Sequence, residues 1–159
     1  MLKLLMNNIT LMQELKPKLE AEGFAVFYQE ITNDRGVDQL IIPIAKEDGT
    51  AVNLEINTII DEQGIYPETE FIQCFMAIPV QIESEKFLDS KTLLNKINLE
   101  LPIGSFNLHE AGIIFYKYTL IIRHHEKEQL FSRLIDCIDI SNHLFQNYEN
   151  YILESLTNT

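Results

Sequence analysis

Apolar residues along the first part of the chain recur at spacings of three and four. Leu5, Ile9, Met12, Leu15 and Leu19 fall on one face of a helix over about Leu2 to Glu22. Gly23 supplies its stop. Pro17 either kinks this helix or opens its second half, with 15–16 as the boundary. The period then changes to two. FAVFYQEI (24–31) and VDQLIIPIA (37–45) read as strands separated by the polar turn 32–36. The Asp-Gly pair within 46–50 signals a hairpin. Val52, Leu54 and Ile56 alternate with Asn53, Glu55 and Asn57, and Ile60 continues the apolar phase. This predicts an antiparallel strand with its asparagines and Glu55 facing solvent or a partner. After the turn 61–64, FIQCFMAIPV (71–80) is apolar on both faces, which predicts a central or doubly covered strand.

A helix is predicted within Ser84 to Leu99, with Phe87, Leu94, Ile97 and Leu101 on one face and Asp89 or Ser90 as an inner cap. A second hairpin follows: GSFNL (104–108), the turn 109–112, and IIFYKYTLII (113–122). The chain ends in a long predicted helix, about Glu126 to Leu156. There Phe131, Ile138, Phe145 and Ile152 form one column, and Leu130, Cys137, Leu144 and Tyr151 the next. Leu134, Tyr148 and Leu156 fall among them. The arc exceeds the ~100° that one sheet face uses, so its second flank meets another helix or another subunit. In the last strand Tyr116 and Tyr118 share a face with Ile114, Leu120 and Ile122, while Phe115 and Ile121 take the other. Unless three helices cover all of this, the surplus is an interface. Its candidate residues are Tyr116, Tyr118, Leu144, Tyr148 and Tyr151.

These elements describe one α+β domain over 1–159, an antiparallel sheet flanked by helices in the order αββββαββα. Length suits a single core, and no Pro-, Gly- or Ser-rich linker interrupts it. Charge narrows the function. With 24 acidic against 12 basic residues the formal net charge is −12. That field opposes nucleic-acid backbones and anionic membranes, so neither is an expected partner. The start of the chain shows no targeting segment. Cys74 and Cys137 each sit in apolar context and read as buried free thiols of a cytoplasmic protein, with no disulfide between them.

Catalytic and metal chemistry find little support. His124 and His125 are adjacent and point opposite ways on an extended chain, and His109 and His143 stand apart. There is no HExxH, CxxC, GxGxxG or GxSxG motif. No catalytic residue, metal ligand or cofactor is expected.

The stretch LLNKINLELPIGSFNLHEAGIIFYKYTLIIR (93–123), with the helix after it, resembles the YbjN-type relatives of type III secretion chaperones. Asn95, Asn98, Phe106, Asn107, Glu110 and Tyr116 carry the likeness: an Asn-rich helix end, a short strand, an acidic turn and a long apolar strand. The departures are an additional strand before the middle helix, and Pro17. The resemblance implies a type III secretion chaperone-like fold, homodimers, and binding of protein segments without ATP. The reading is a non-catalytic cytoplasmic protein-binding module, chaperone-like or regulatory, whose partner is another protein or itself. The alternative is a small ligand sensor or enzyme with its site between sheet and helices.

Overall fold

The computed structural model describes residues 9–30 and 37–157. The predicted helix start at 2–8, with Leu5, the strand end at Ile31 and the turn 32–36 lie outside the described residues. The elements are α1 (Leu11–Ala21), β1 (Phe27–Gln29), β2 (Gln39–Ala45), β3 (Ala51–Ile59), β4 (Thr69–Gln81), α2 (Phe87–Asn98), β5 (Ser105–Leu108), β6 (Ile113–Arg123) and α3 (Leu130–Thr157). Short 3-10 turns at Ser84–Lys86 and His124–Gln129 lead into α2 and α3. The class and the order αββββαββα agree with the sequence reading. The six strands form one antiparallel sheet, ordered β1-β2-β3-β4-β6-β5.

Local chemistry explains the boundaries. Thr10 caps α1 by accepting from the Gln13 N–H, and the Gln13 side chain accepts from the Thr10 N–H in return. The Thr10 hydroxyl also donates to the buried Asp38 carboxylate, tying α1 to the approach to β2. Pro17 does not open a second helix: α1 runs through it, with the ring on the exposed side where water reaches the unpaired carbonyl. The first strand is shorter than predicted, three residues pairing with Gln39–Ile41 only. Past that point no strand among the described residues pairs with the outer edge of β2, which accommodates Pro43. The expected inner caps of α2 are not used. The helix begins earlier, and Ser90 lies buried with no partner for its hydroxyl among the described residues.

Because successive side chains alternate across a sheet, the register sorts the strands into two faces. One carries Leu40, Ile56 and Cys74 in a row, then Ile42, Leu54, Met76, Tyr116 and Phe106. All are buried, and the three helices pack on this side with Met12, Leu15, Leu19, Leu94, Ile97, Leu134 and Phe145. The rings of Phe106 and Phe145 stack at 6.3 Å. Gly104 is required here: at φ +68 a Cβ would stand 2.3 Å from the Tyr116 hydroxyl. That hydroxyl donates to the Ile103 carbonyl at 3.1 Å. Asn98 joins α2 to β5 by donating to the Phe106 carbonyl and accepting from the Phe106 N–H, both at 2.8 Å. The motif carrying the family likeness thus closes the end of the core.

Both apolar columns of α3 are used inside the chain. Leu130, Cys137, Ile138, Leu144, Phe145 and Ile152 are all buried. Most of the wide arc is covered within the chain, while Tyr151 in the second column and Ile140 at the arc's edge remain exposed. The buried face also contains two polar residues that the apolar columns did not suggest, Ser141 and Glu149. Glu149, 2 % exposed, pairs with Lys46 of the β2–β3 turn at 2.9 Å. Among the described residues no helix is long and apolar enough to cross a membrane.

Candidate functional site

The apolar surplus lies on the other face of the sheet. Its rows, read across the strands, begin at one end with Ile59, Phe71 and Ile121. Tyr66 packs edge-on against Phe71 at 5.7 Å. Next comes a polar row, Gln29, Gln39, Asn57, Gln73 and Thr119. The following row is Phe27, Ile41, Glu55, Phe75, Lys117 and Ser105. Phe115 lies one row beyond and stacks on Phe75 at 4.8 Å. No helix among the described residues covers these side chains, and Phe27, Ile59 and Ile121 are more than 40 % exposed. A groove of about 630 Å3 runs over the face, lined by Asn57, Gln73, Phe75, His109, Phe115 and Lys117 among others.

The strand positions on this face carry three charges, Glu55, Lys117 and Arg123. In a chain of net charge −12, the acids are concentrated elsewhere. Solvation of a rigid apolar surface by charge is the usual way to keep it single, and this face largely lacks it. His109 enters the groove from the β5–β6 turn, its Nδ1 accepting from the Ala111 N–H at 3.1 Å. One expectation for β3 needs correction. Val52, Leu54 and Ile56 are buried as predicted, but Asn57 is only 8 % exposed. It sits between Gln39 and Gln73, whose longer side chains shield it on an otherwise open face.

The five interface candidates are dispersed. Tyr116 is fully buried and Leu144 nearly so, both already packed within this chain. Burial pushes the Tyr116 hydroxyl up to about 12. Tyr118 and Tyr148 are half-buried, and Tyr151 is exposed beside Lys96, Glu100 and Asn147. Tyr118 lines a depression beside α3, on the opposite face of the sheet from its neighbour Lys117 and the Phe75 row. Phe75, Phe115, Asn57 and His109 were not singled out from sequence as a site. The available signal was β4, apolar at both odd and even positions.

Core side chains fill most of the space between sheet and helices, where the sensor or enzyme alternative would place its site, and a depression of about 410 Å3 opens at its edge between β6 and α3. Among the described residues no three His, Cys, Asp or Glu side chains converge as metal ligands. His124 approaches Glu70 at 3.6 Å and His143 bonds Asn147 at 3.0 Å, each a surface contact. Cys74 and Cys137 are buried thiols, as expected, but they are also neighbours, with sulfurs 3.3 Å apart. The Cys137 hydrogen bond and burial together push the Cys74 thiol well above its usual range.

A family model described as "YbjN: Putative bacterial sensory transduction regulator" matches residues 14–148, well over half of the chain. No curated protein matches it significantly.

Proposed function

The chain belongs to the YbjN family, and from that premise we propose that it is a non-catalytic regulatory protein that binds another protein on the open face of its sheet. The observation that carries this reading is the uncovered aromatic and aliphatic surface centred on Phe75 and Phe115, in a protein whose acids lie mostly elsewhere. A flat, rigid surface with aromatic rings at its centre and amides around them suits a protein partner. Rings bury large area at small entropic cost, and amides fix orientation. The dense apolar packing through most of the layer between sheet and helices favours this over the sensor or enzyme alternative.

A second copy of the chain is the simplest partner. Glu55 and Lys117 flank Phe75 one strand to either side in the same row. A two-fold axis parallel to β4 would set each Glu55 over the other copy's Lys117. An axis perpendicular to the strands would oppose like charges, so the row selects one isologous arrangement. The test is sedimentation equilibrium of the wild type beside Phe75→Asp and the charge exchange Glu55→Lys with Lys117→Glu. The expected mass is twice 18.5 kDa, lost in Phe75→Asp, weakened by either single charge change and recovered in the double. If the wild type is monomeric, the partner is a different protein. Wild-type and Phe75→Asp baits that then retain the same proteins would overturn the open-face reading.

A further inference from the structure

We infer that Cys74 and Cys137 form a site of reversible oxidation, a dithiol that a small hydroperoxide converts to an intramolecular disulfide joining the sheet to α3. Three observations carry it. The chain has two cysteines, and the fold brings both together although 63 residues of sequence separate them. They stand on facing layers, Cys74 on β4 and Cys137 on α3, with sulfurs in contact at 3.3 Å; closing to the roughly 2.05 Å of a disulfide moves the sulfurs by about 1 Å. The pair is also reachable from one side. Cys137 is 3 % exposed at the floor of a depression of about 410 Å3, lined by Ile103, Tyr118, Arg133, Asp136 and Ile140. Cys74 lies fully covered behind it.

This arrangement assigns an order. Cys137 meets the oxidant first, because it borders the depression while Cys74 lies fully covered behind it. The Cys137 proton leaves to solvent, and its sulfur attacks one peroxide oxygen. The O–O bond breaks, hydroxide leaves (alkoxide from an alkyl hydroperoxide) and takes up a proton, and Cys137 becomes a sulfenic acid. The Cys74 sulfur then attacks the Cys137 sulfur. The S–O bond breaks, and the departing hydroxide takes the Cys74 proton. Two thiols lose two electrons and two protons, and one hydroperoxide becomes two waters, or water and an alcohol. A thiol reductant reverses the bridge by exchange. Ser141, buried one helical turn after Cys137 with its hydroxyl 4.0 Å from that sulfur, completes a small polar floor around the pair.

The test uses the full chain. Reduced protein is exposed to a few equivalents of hydrogen peroxide, quenched, unfolded in denaturant with excess iodoacetamide, and weighed intact. The expected product is lighter than the reduced protein by two hydrogens, carries no alkyl group, and returns to the doubly alkylated mass after dithiothreitol. Two alkylated thiols, an oxygen adduct in place of the bridge, or a disulfide-linked dimer would each overturn the inference. Single variants test the order. In Cys74→Ala, Cys137 should accumulate a sulfenic acid trapped by dimedone. In Cys137→Ala, Cys74 should stay unmodified. The reverse pattern would overturn the assigned route, and the wild-type measurement stands whether or not either variant folds.

Discussion

Leu54 and Glu55 are neighbours in β3, yet they belong to surfaces built on different terms. On the helix side, Leu54 meets Ile42 and Met76 in a row where every side chain is buried. On the other side, Glu55 meets Ile41 and Phe75 in a row of half-buried and exposed groups. Both rows hang on the same backbone hydrogen bonds. What separates them is the supply of helices: α1, α2 and α3 all cover one face. The covered face is therefore where stability resides, and the open face can change chemistry with little effect on folding.

That division can be broken most sharply at the pair itself. Leu54→Ala should lower unfolding free energy by about 2–5 kcal/mol, and Glu55→Ala should change it by less than about 0.5 kcal/mol. Urea titration of the two variants decides it, and equal losses would refute the division. Next in size is the ionic closure between the β2–β3 turn and α3. Lys46→Met leaves the Glu149 carboxylate buried without its partner, which should destabilise by roughly 3 kcal/mol. A thermal midpoint unchanged by that substitution would mean the pair contributes nothing to the covered face.

Alkaline pH probes the same face through Tyr116. Its hydroxyl titrates near 10 when unfolded and is pushed up to about 12 by burial. The folded state thus keeps a proton that the unfolded state releases. The stability tied to this group is complete below pH 10 and is lost as pH rises from about 10 to 12, amounting to roughly 2–3 kcal/mol. Comparing denaturant midpoints of wild type and Tyr116→Phe across that window isolates it, since the variant should decline less steeply. The smallest effect on folding is expected on the open face. Phe75→Ser with Phe115→Ser should cost under about 1 kcal/mol per site while abolishing partner binding. A large loss of stability would show that these rings serve the fold instead.

The sequence made the hairpins and the core side of β3 plain, because alternation and turn residues are local signals. It also placed β5, β6 and the end of α3 within a residue or two. Other features depended on packing. The shortness of β1 follows from where β2 lacks a neighbour. The burial of Asn57 follows from the glutamines on adjacent strands. Lys46 with Glu149, and Cys74 with Cys137, are meetings across 103 and 63 residues that no periodicity encodes. The surplus of apolar residues was legible, but its place was not. The wide arc of α3 pointed to the helix, whereas the helix buries most of both columns and leaves Tyr151 and Ile140 exposed, and the sheet carries a larger exposed share. A helix can roll to fill its flanks, while a strand must send every second side chain to the far face.

The order β1-β2-β3-β4-β6-β5 bears on how the chain finds this structure. Strands β1 to β4 pair in sequence order as an antiparallel meander, and β5 with β6 forms one hairpin more. A single long seam, β4 against β6, unites them, with partners such as Thr69 and Arg123 that lie 54 positions apart. Local hairpins close in microseconds, whereas the seam must first overcome the loop-closure entropy of the intervening segment. The rate-limiting step of folding should be the docking of two preformed halves along β4. Substitutions at Met76 or Ile72 should slow folding, and those at Val52 should mainly hasten unfolding. A bridge between Cys74 and Cys137 would tether the two halves in the unfolded chain and shorten the search for that seam.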